Sequence, residues 1–318
     1  MLTTSQKGAL HNNNLIFIDG ITRVGKTLLA KILPSLQNAE QIEFPEFMEH
    51  VLAGAHLKKI SMDFAKAFII SSFNELLYNK LLSRKLNFRS SDITSVVNFK
   101  NTKIYEKRLK VPEGDNIITK LKKSKSIFLY LTHDVMVNYH LIQKINLNCK
   151  IIEVYRNPFD VIFSWHERGW GTRFEKDPKS QTLCLTYNNR LFPWYAYAFP
   201  KKWLKMNSVE KCASNVLYLT NLAIKNHKKF KNDRKIITVS YENFVRNTES
   251  EISRICKFLK TKKTKYTKKA LIKENCPTKI SEDEQIEKRE FIRSKISKNL
   301  YKKIFNLTEK YEKNLYNL

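Results

Sequence analysis

Glycine and proline are scarce in this chain, seven and eight among 318 residues. That excludes collagen-like, linker-rich and low-complexity architectures. Cysteine is sparse as well. Cys149, Cys184, Cys212, Cys256 and Cys276 are scattered, odd in number and free of any C-x-x-C pair. Neither a disulfide framework nor a structural zinc site is expected from that pattern. No apolar run approaches the ~20 residues that span a bilayer. The opening stretch MLTTSQKGALHNNN lacks the apolar segment of a secretory leader. The expectation is a soluble, cytoplasmic protein with reduced thiols and no transmembrane segment. Acids are the remaining shortage, 30 Asp+Glu against 58 Lys+Arg, for a formal net charge of +28. Only 13 of the 58 basic residues are arginine. Lysine in that excess, with frequent Asn and Ile, is what an A/T-rich coding sequence produces. Nucleic acid is therefore not the expected partner, whereas an anionic ligand of some kind is.

What is present is a chain with 42% apolar residues, enough for a sizeable core. Leu15-Ile-Phe-Ile18 is a short apolar run closed by Asp19-Gly20, then a loop, then the periodic set Leu28, Leu29, Ile32, Leu33. That spacing predicts strand, tight loop and helix. Residues 41–110 read as mostly helical, with Phe64, Phe68, Phe73, Leu76, Leu77 and Leu81 on one buried face. Residues 84–125 are polar and basic and carry no clear period. Ile127–Leu131 and Lys150–Tyr155 are strand candidates, each followed by a helical pattern, and Pro158 suits a first helical position. Gly169–Pro200 is aromatic-rich and irregular. Ser208–Lys229 reads as a helix capped by Ser208, Lys235–Val239 as a strand, Thr248–Leu259 as a helix capped by Thr or Ser, and 282–318 as helical and charged. Strands alternating with helices imply a parallel α/β sheet with ligands at the carboxyl ends of the strands. A single domain over 1–318 is expected, with its core at about 13–260 and a basic, mostly helical extension over 261–318. The segment 257–273 holds eight lysines and no acid. It is either a solvated face or a rim that attracts anions.

Gly20-Ile-Thr-Arg-Val-Gly25-Lys26-Thr27 is a complete G-x-x-x-x-G-K-[ST] string between a strand and a helix. Backbone N–H groups in such a loop, with the positive end of the helix after it, stabilise an anion. Read alone, the string suggests a kinase or other nucleoside-triphosphate enzyme. Lys26 would then touch the β- and γ-phosphates, Thr27 would ligate Mg²⁺, and Asp19 or Asp134 would hold the metal.

A second loop points elsewhere. Cys149–Arg168 reads CKIIEVYRNPFDVIFSWHER: an apolar strand, Arg156-Asn157-Pro158, Asp160, and Ser164 eight residues after the arginine. This segment resembles the 3′-phosphate-binding region of the sulfotransferase family, whose donor is 3′-phosphoadenosine 5′-phosphosulfate (PAPS). The first loop, Arg23-Val24-Gly25-Lys26-Thr27-Leu28-Leu29, then resembles that family's 5′-phosphosulfate loop, with Lys26 where Thr or Ser is usual and Leu28 in place of an aromatic. Thr132-His133, 23 residues before Arg156, is similar to the Thr-His pair whose histidine is the base in cytosolic members, although Leu131 stands where these carry a lysine. Ile236–Glu242 and the helix after it look like the family's late strand–Tyr-Glu–helix unit. A late Arg-Lys-Gly is missing, and Lys288-Arg289 is the nearest basic pair.

The resemblance implies a three-layer α/β/α, P-loop-like sulfotransferase fold. It implies sulfuryl transfer from PAPS to a hydroxyl or amine, with no metal required. Arg23, Val24, Gly25, Lys26, Thr27 and Leu28 would hold the 5′-phosphosulfate, with Arg23 and Lys26 stabilising the leaving group. Arg156 and Ser164 would hold the 3′-phosphate, and His133 would take the acceptor's proton. Glu43 or Glu46 is the alternative base, since other branches of the family use glutamate. The aromatics of 170–197 would wall the acceptor pocket or belong to the core. The acceptor could be a small molecule, a glycan or a lipid. A non-catalytic polyanion-binding protein is the reading that the net charge alone would favour.

Overall fold

The computed structural model describes residues 9–314. Both ends of the 1–318 domain reading, residues 1–8 and 315–318, and most of the polar opening stretch lie outside them.

Four strands build the centre: β1 (Leu15–Asp19), β2 (Phe128–Leu131), β3 (Cys149–Tyr155) and, far along the chain, the strand Ile236–Ser240. Two further strands, β4 (Cys184–Tyr187) and β5 (Arg190–Pro193), form a separate antiparallel hairpin, so the last strand of the main sheet is β6. The main sheet runs in the order β2-β1-β3-β6, parallel throughout. β1 and β2 are buried along their whole length, as continuous apolar runs covered by helices on both faces should be. Register explains the two faces. Phe17 pairs with Tyr130 and Ile151, and Asp19 with Glu153, so these side chains share one face.

The helices are α1 (Lys26–Ile32), α2 (Glu46–His56), α3 (Met62–Leu81), α4 (Lys103–Arg108), α5 (Asp115–Lys123), α6 (Tyr139–Ile145), α7 (Pro158–Glu167), α8 (Pro200–Lys205), α9 (Ser208–Lys229), α10 (Tyr241–Arg246), α11 (Thr248–Leu259), α12 (Lys265–Lys273), α13 (Glu282–Lys295) and α14 (Lys298–Asn314). α3 and α9 cover the Phe17–Glu153 face. Phe73 of α3 packs on Phe17 and Tyr130, and His227 of α9 bonds Glu153 at 3.0 Å. α1 and α11 pack on strands of the sheet, and α12 packs on α1. The expected three-layer α/β/α arrangement is therefore present. The last two helices also join the core: α13 packs on α7 and α14 on α9, burying Ile292, Ile304 and Leu307.

Several local expectations need correction. α3 buries Ala65, Ile69, Phe73 and Leu77, while Phe64 and Phe68 are 40% exposed and stack on each other. The i, i+4 row from Ala65 faces the sheet, and bulky phenylalanines one position earlier are turned out. α9 is capped by Asn207, not Ser208. Asn207 accepts from the backbone of Glu210, whose carboxylate reaches back in a capping box. Thr248 lies inside α11 and bonds the carbonyl of Phe244, while Glu251 holds Asn243 and Arg254. The unplaced stretch 84–125 holds α4 and α5. The supposedly irregular 169–200 contains the β4–β5 hairpin. Its Asn188-Asn189 turn has both residues at positive φ, 49° and 58°, the mirror-image turn whose twist suits two-residue hairpins.

Candidate active site

The sheet order sets the site. It places the carboxyl ends of β2, β1, β3 and β6 side by side. His133, the loop 20–25, Arg156 and Tyr241 therefore stand in a row along one edge. Adjacent strands are about 4.8 Å apart, so this row spans roughly 14 Å.

The loop is shaped by its glycines. Gly20 has φ 140° and packs against the carbonyl of Val154 so closely that a Cβ would collide with it. Gly25 has φ 92°, and a Cβ there would enter the ring of Tyr241. Arg23 between them takes φ 75°, a strained conformation for a residue with a Cβ. Val24 is buried under the loop, Thr27 is exposed at the first turn of α1, and Leu28 is half-buried.

Lys26 does not project outward as the string suggested. It is 3% exposed, and its ammonium donates to the carbonyls of Gly20 and, at 3.2 Å, Ile21. A short turn aims the side chain back under the loop, where Asp19, Glu49 and Asp134 supply negative charge. Burial lowers its pKa to about 8 against the opposing pull of those three acids.

Arg23 and the second loop do meet. Arg23 Nε donates to Ser164 Oγ at 2.8 Å. Arg156 Nη1 reaches the carbonyl of Arg23 at 3.5 Å, and its guanidinium lies 4.7 Å from the ring centre of Tyr241. Asp160 stands 3.8 Å from Arg156 Nε, a long ion pair. Burial, with Arg168 and Arg156 nearby, lowers the pKa of Arg23. Three like charges at one spot mark a place that suits an anion. α7 is pinned to the first loop by Trp165 Nε1, which donates to the carbonyl of Thr22 at 2.7 Å. Glu242 of α10 accepts from the backbone N–H of Asn157 at 2.9 Å, and Tyr311 of α14 donates to the same carboxylate. The late basic pair is close as well. Lys288 stands 3.5 Å from Asp160, while Arg289 is held between Phe159 and Phe305.

At the other end of the row, Thr132 is wholly buried and donates to Asp19 at 2.7 Å. The backbone N–H groups of Val135 and Met136 donate to the same carboxylate. His133 follows, its ring edge-on to Phe44 and its Nδ1 against Glu49 Oε1. Burial, then Lys26, drives the pKa of His133 well below 6.5. Burial, with Asp19 adding and Lys26 opposing, pushes Glu49 up to about 7. Burial, Glu49 and Asp19 raise Asp134 well above the usual carboxylate range. Near neutral pH the His133 imidazole is therefore uncharged, and Glu49 titrates beside its Nδ1.

Neither glutamate expected as an alternative base has this position. Glu43 pairs with Lys80 at 2.8 Å, and its backbone bridges to the edge of β2. Glu46 lines the same cavity but is exposed. Glu49, one turn further along α2, was missed; its i, i+3 spacing from Glu46 behind a helix-starting Pro45 was the available signal.

The cavity beside His133 has a volume of about 250 Å³. Phe44, Trp165, Trp170, Trp194 and Tyr195 wall it, and the Tyr195 hydroxyl is buried without a partner among the described residues. The aromatic stretch is therefore divided. Trp170, Trp194 and Tyr195 face this cavity, whereas Phe174 and Phe192 belong to the core and Tyr197 is 41% exposed.

A family model described as a sulfotransferase domain matches residues 14–315. No curated protein matches the chain. Among solved structures, the chain is similar to the sulfotransferase domain of the Synechococcus PCC 7002 olefin synthase, at 14% identity and a TM-score of 0.45, covering 98% of each chain. It is also similar to a sulfotransferase from Alicyclobacillus acidocaldarius, at 12% identity and a TM-score of 0.41, covering 92% of this chain and 95% of the other. A third is retinol dehydratase in complex with androsterone and the inactive cofactor PAP, at 14% identity and a TM-score of 0.36, covering 96% of this chain and 81% of the other.

Proposed function

Since the chain belongs to the sulfotransferase family, we propose that it moves a sulfuryl group from PAPS to a hydroxyl, or an amine, held in the aromatic cavity. The observation that carries the donor assignment is the meeting of Arg23, Ser164 and Arg156 across the β1 and β3 loops. These residues gather cationic charge where the two loops meet, a seat for one phosphate end of the nucleotide, and the N–H groups of the β1 loop would take the other. The ~14 Å row from His133 to Tyr241 matches an extended nucleotide with its transferable group at the β2 end.

In this reading Arg156 and Ser164 take the 3′-phosphate. A planar guanidinium suits a two-point contact with such an oxyanion. The ring of Tyr241 offers the base a face on which to lie. Arg23 and the backbone of Val24, Gly25, Thr27 and Leu28 hold the 5′-phosphosulfate. Lys26 acts through the loop, holding the carbonyls of Gly20 and Ile21 inward so that N–H groups remain for the ligand. His133, oriented by Glu49 through Nδ1, presents Nε2 to the acceptor. The acceptor oxygen bonds to sulfur, the bond from sulfur to the 5′-phosphate oxygen breaks, and the acceptor proton passes to His133. Positioning and fixed charge carry most of the catalysis, because charge develops on oxygens the loop already surrounds.

The nucleoside-triphosphate reading fits less well. Its lysine is folded under the loop, and the Asp19 carboxylate already accepts three hydrogen bonds from Thr132, Val135 and Met136. No helix among the described residues is long and apolar enough to cross a membrane; we place the reaction in the cytoplasm and take 1–318 as one unit. Calorimetric titration of 3′,5′-phosphoadenosine into wild type and Arg156→Ala tests the donor site. Equal affinities would remove the assignment.

A further inference from the structure

Away from the catalytic edge, the eight lysines of 257–273 are all exposed. Lys263 alone among them has a carboxylate partner among the described residues, Glu249 at 2.6 Å. α12 concentrates this charge. Its Thr267 and Leu271 are buried, while Lys265, Lys268, Lys269, Ile272 and Lys273 lie outward. These five stand at i, i+3, i+4, i+7 and i+8, a single helical stripe. Ile272 is 66% exposed, the most exposed large apolar side chain among the described residues, and lysines surround it. A cleft of about 360 Å³ adjoins the stripe, lined by Lys269, Lys273, Lys31 and Lys100, with Asp92 and Glu274 also on its wall. Lys100 is occupied by the carbonyls of Pro34, Leu36 and Ala39, and Lys31 by Glu274. Lys269 and Lys273 remain available to an incoming anion.

We infer that the lysine stripe of α12 with its central Ile272 is a docking face for an anionic lipid bilayer. The lysines meet the headgroup phosphates, one phosphate fits the cleft, and Ile272 enters the acyl boundary. Lysine point charges without arginine suit a diffuse headgroup layer better than groove recognition, for which forked guanidiniums are the usual choice. An isolated exposed isoleucine gains nothing from a polyanion in water but gains burial at a lipid interface. The geometry allows both jobs at once. α1 starts at the phosphate loop, and its last turn, at Lys31, lines the cleft. Docking face and catalytic edge thus lie at opposite ends of a helix roughly 10 Å long.

The test is co-sedimentation of the full chain with phosphatidylcholine vesicles, with and without about one-third phosphatidylglycerol. Binding is expected only to the anionic vesicles and should weaken as salt rises. Lys268→Glu with Lys269→Glu should cut the partition coefficient at least about ten-fold, and the milder pair of glutamines by less. Lys120→Glu with Lys123→Glu, the same charge change on α5, should cost less than about three-fold. Ile272→Ala should cost about five-fold on vesicles and leave heparin binding unchanged. Unaltered melting temperatures show that these surface variants are folded. Equal losses for the α12 and α5 pairs would mean diffuse charge and overturn the proposal. So would absence of anionic-vesicle binding, or an α12 dependence seen with heparin alone.

Discussion

The two ends of the strand-edge row differ in kind. At the β3–β6 end the charges are guanidiniums, permanent at any working pH and partly open to solvent. At the β2 end they are half-buried His133 and Glu49 with buried Asp134 and Lys26, in mutual contact and shifted by desolvation. A binding site needs fixed charge. A proton-transfer site needs groups whose protonation is poised, and desolvation in mutual contact is how a fold poises them. The contrast also divides the lysines. Lys26 is a structural cation satisfied by carbonyls, whereas those on α12 carry their charge outward.

The contrast can be broken most sharply at His133. His133→Ala should lower kcat about 10²–10⁴-fold while leaving the affinity for 3′,5′-phosphoadenosine within about two-fold. A matching loss of nucleotide affinity would mean the two ends are not separable. Arg156→Ala should do the opposite. It should weaken the nucleotide about 10–100-fold, read by calorimetric titration, with Arg156→Lys recovering only part of it. Gly25→Ala forces a Cβ toward Tyr241 at φ 92°. The variant should lose about 1–3 kcal/mol of stability in urea denaturation, with weaker nucleotide binding alongside.

Glu49→Gln sharpens the comparison with the smallest effect. Glu49 titrates at about 7 in the fold against 4.5 for an ordinary glutamate. The folded state therefore binds more protons than the unfolded one between those values, so this group's contribution to stability is present below pH 4.5 and lost as pH rises through 7. Thermal melts across that window should show the variant gaining on wild type as pH rises, by a few degrees at most. In the kcat profile the rising limb should move to lower pH, because the carboxylate that favours a protonated imidazole at Nδ1 is gone. An unmoved limb would show that Glu49 does not set the titration of the base.

Much of this was legible from local pattern. β1, β2, β3 and β6 are short apolar runs with a loop or helix after each, and Pro158 begins α7 as a proline at a first helical position does. The first loop could be read from its glycines and lysine between a strand and a helix, and the second from its resemblance to the family's Arg-Asn-Pro segment. Glu49 could not be singled out that way. It is one of several acids near the start of α2, and only the approach of α2 to the end of β2 puts it against His133. The capping of α9 by Asn207 and the outward turn of Phe64 depend likewise on where neighbouring elements lie.

Chemical identity along the chain was enough to determine a parallel α/β sheet and the loops that close β1 and β3, since backbone preference, apolar period and turn chemistry act between near neighbours in sequence. Strand order, the retraction of Lys26, the His133–Glu49 pair and the division of the aromatics between core and cavity were decided only by tertiary structure. Burial and Coulomb interaction act through space, and no distance through space is written in the order of residues.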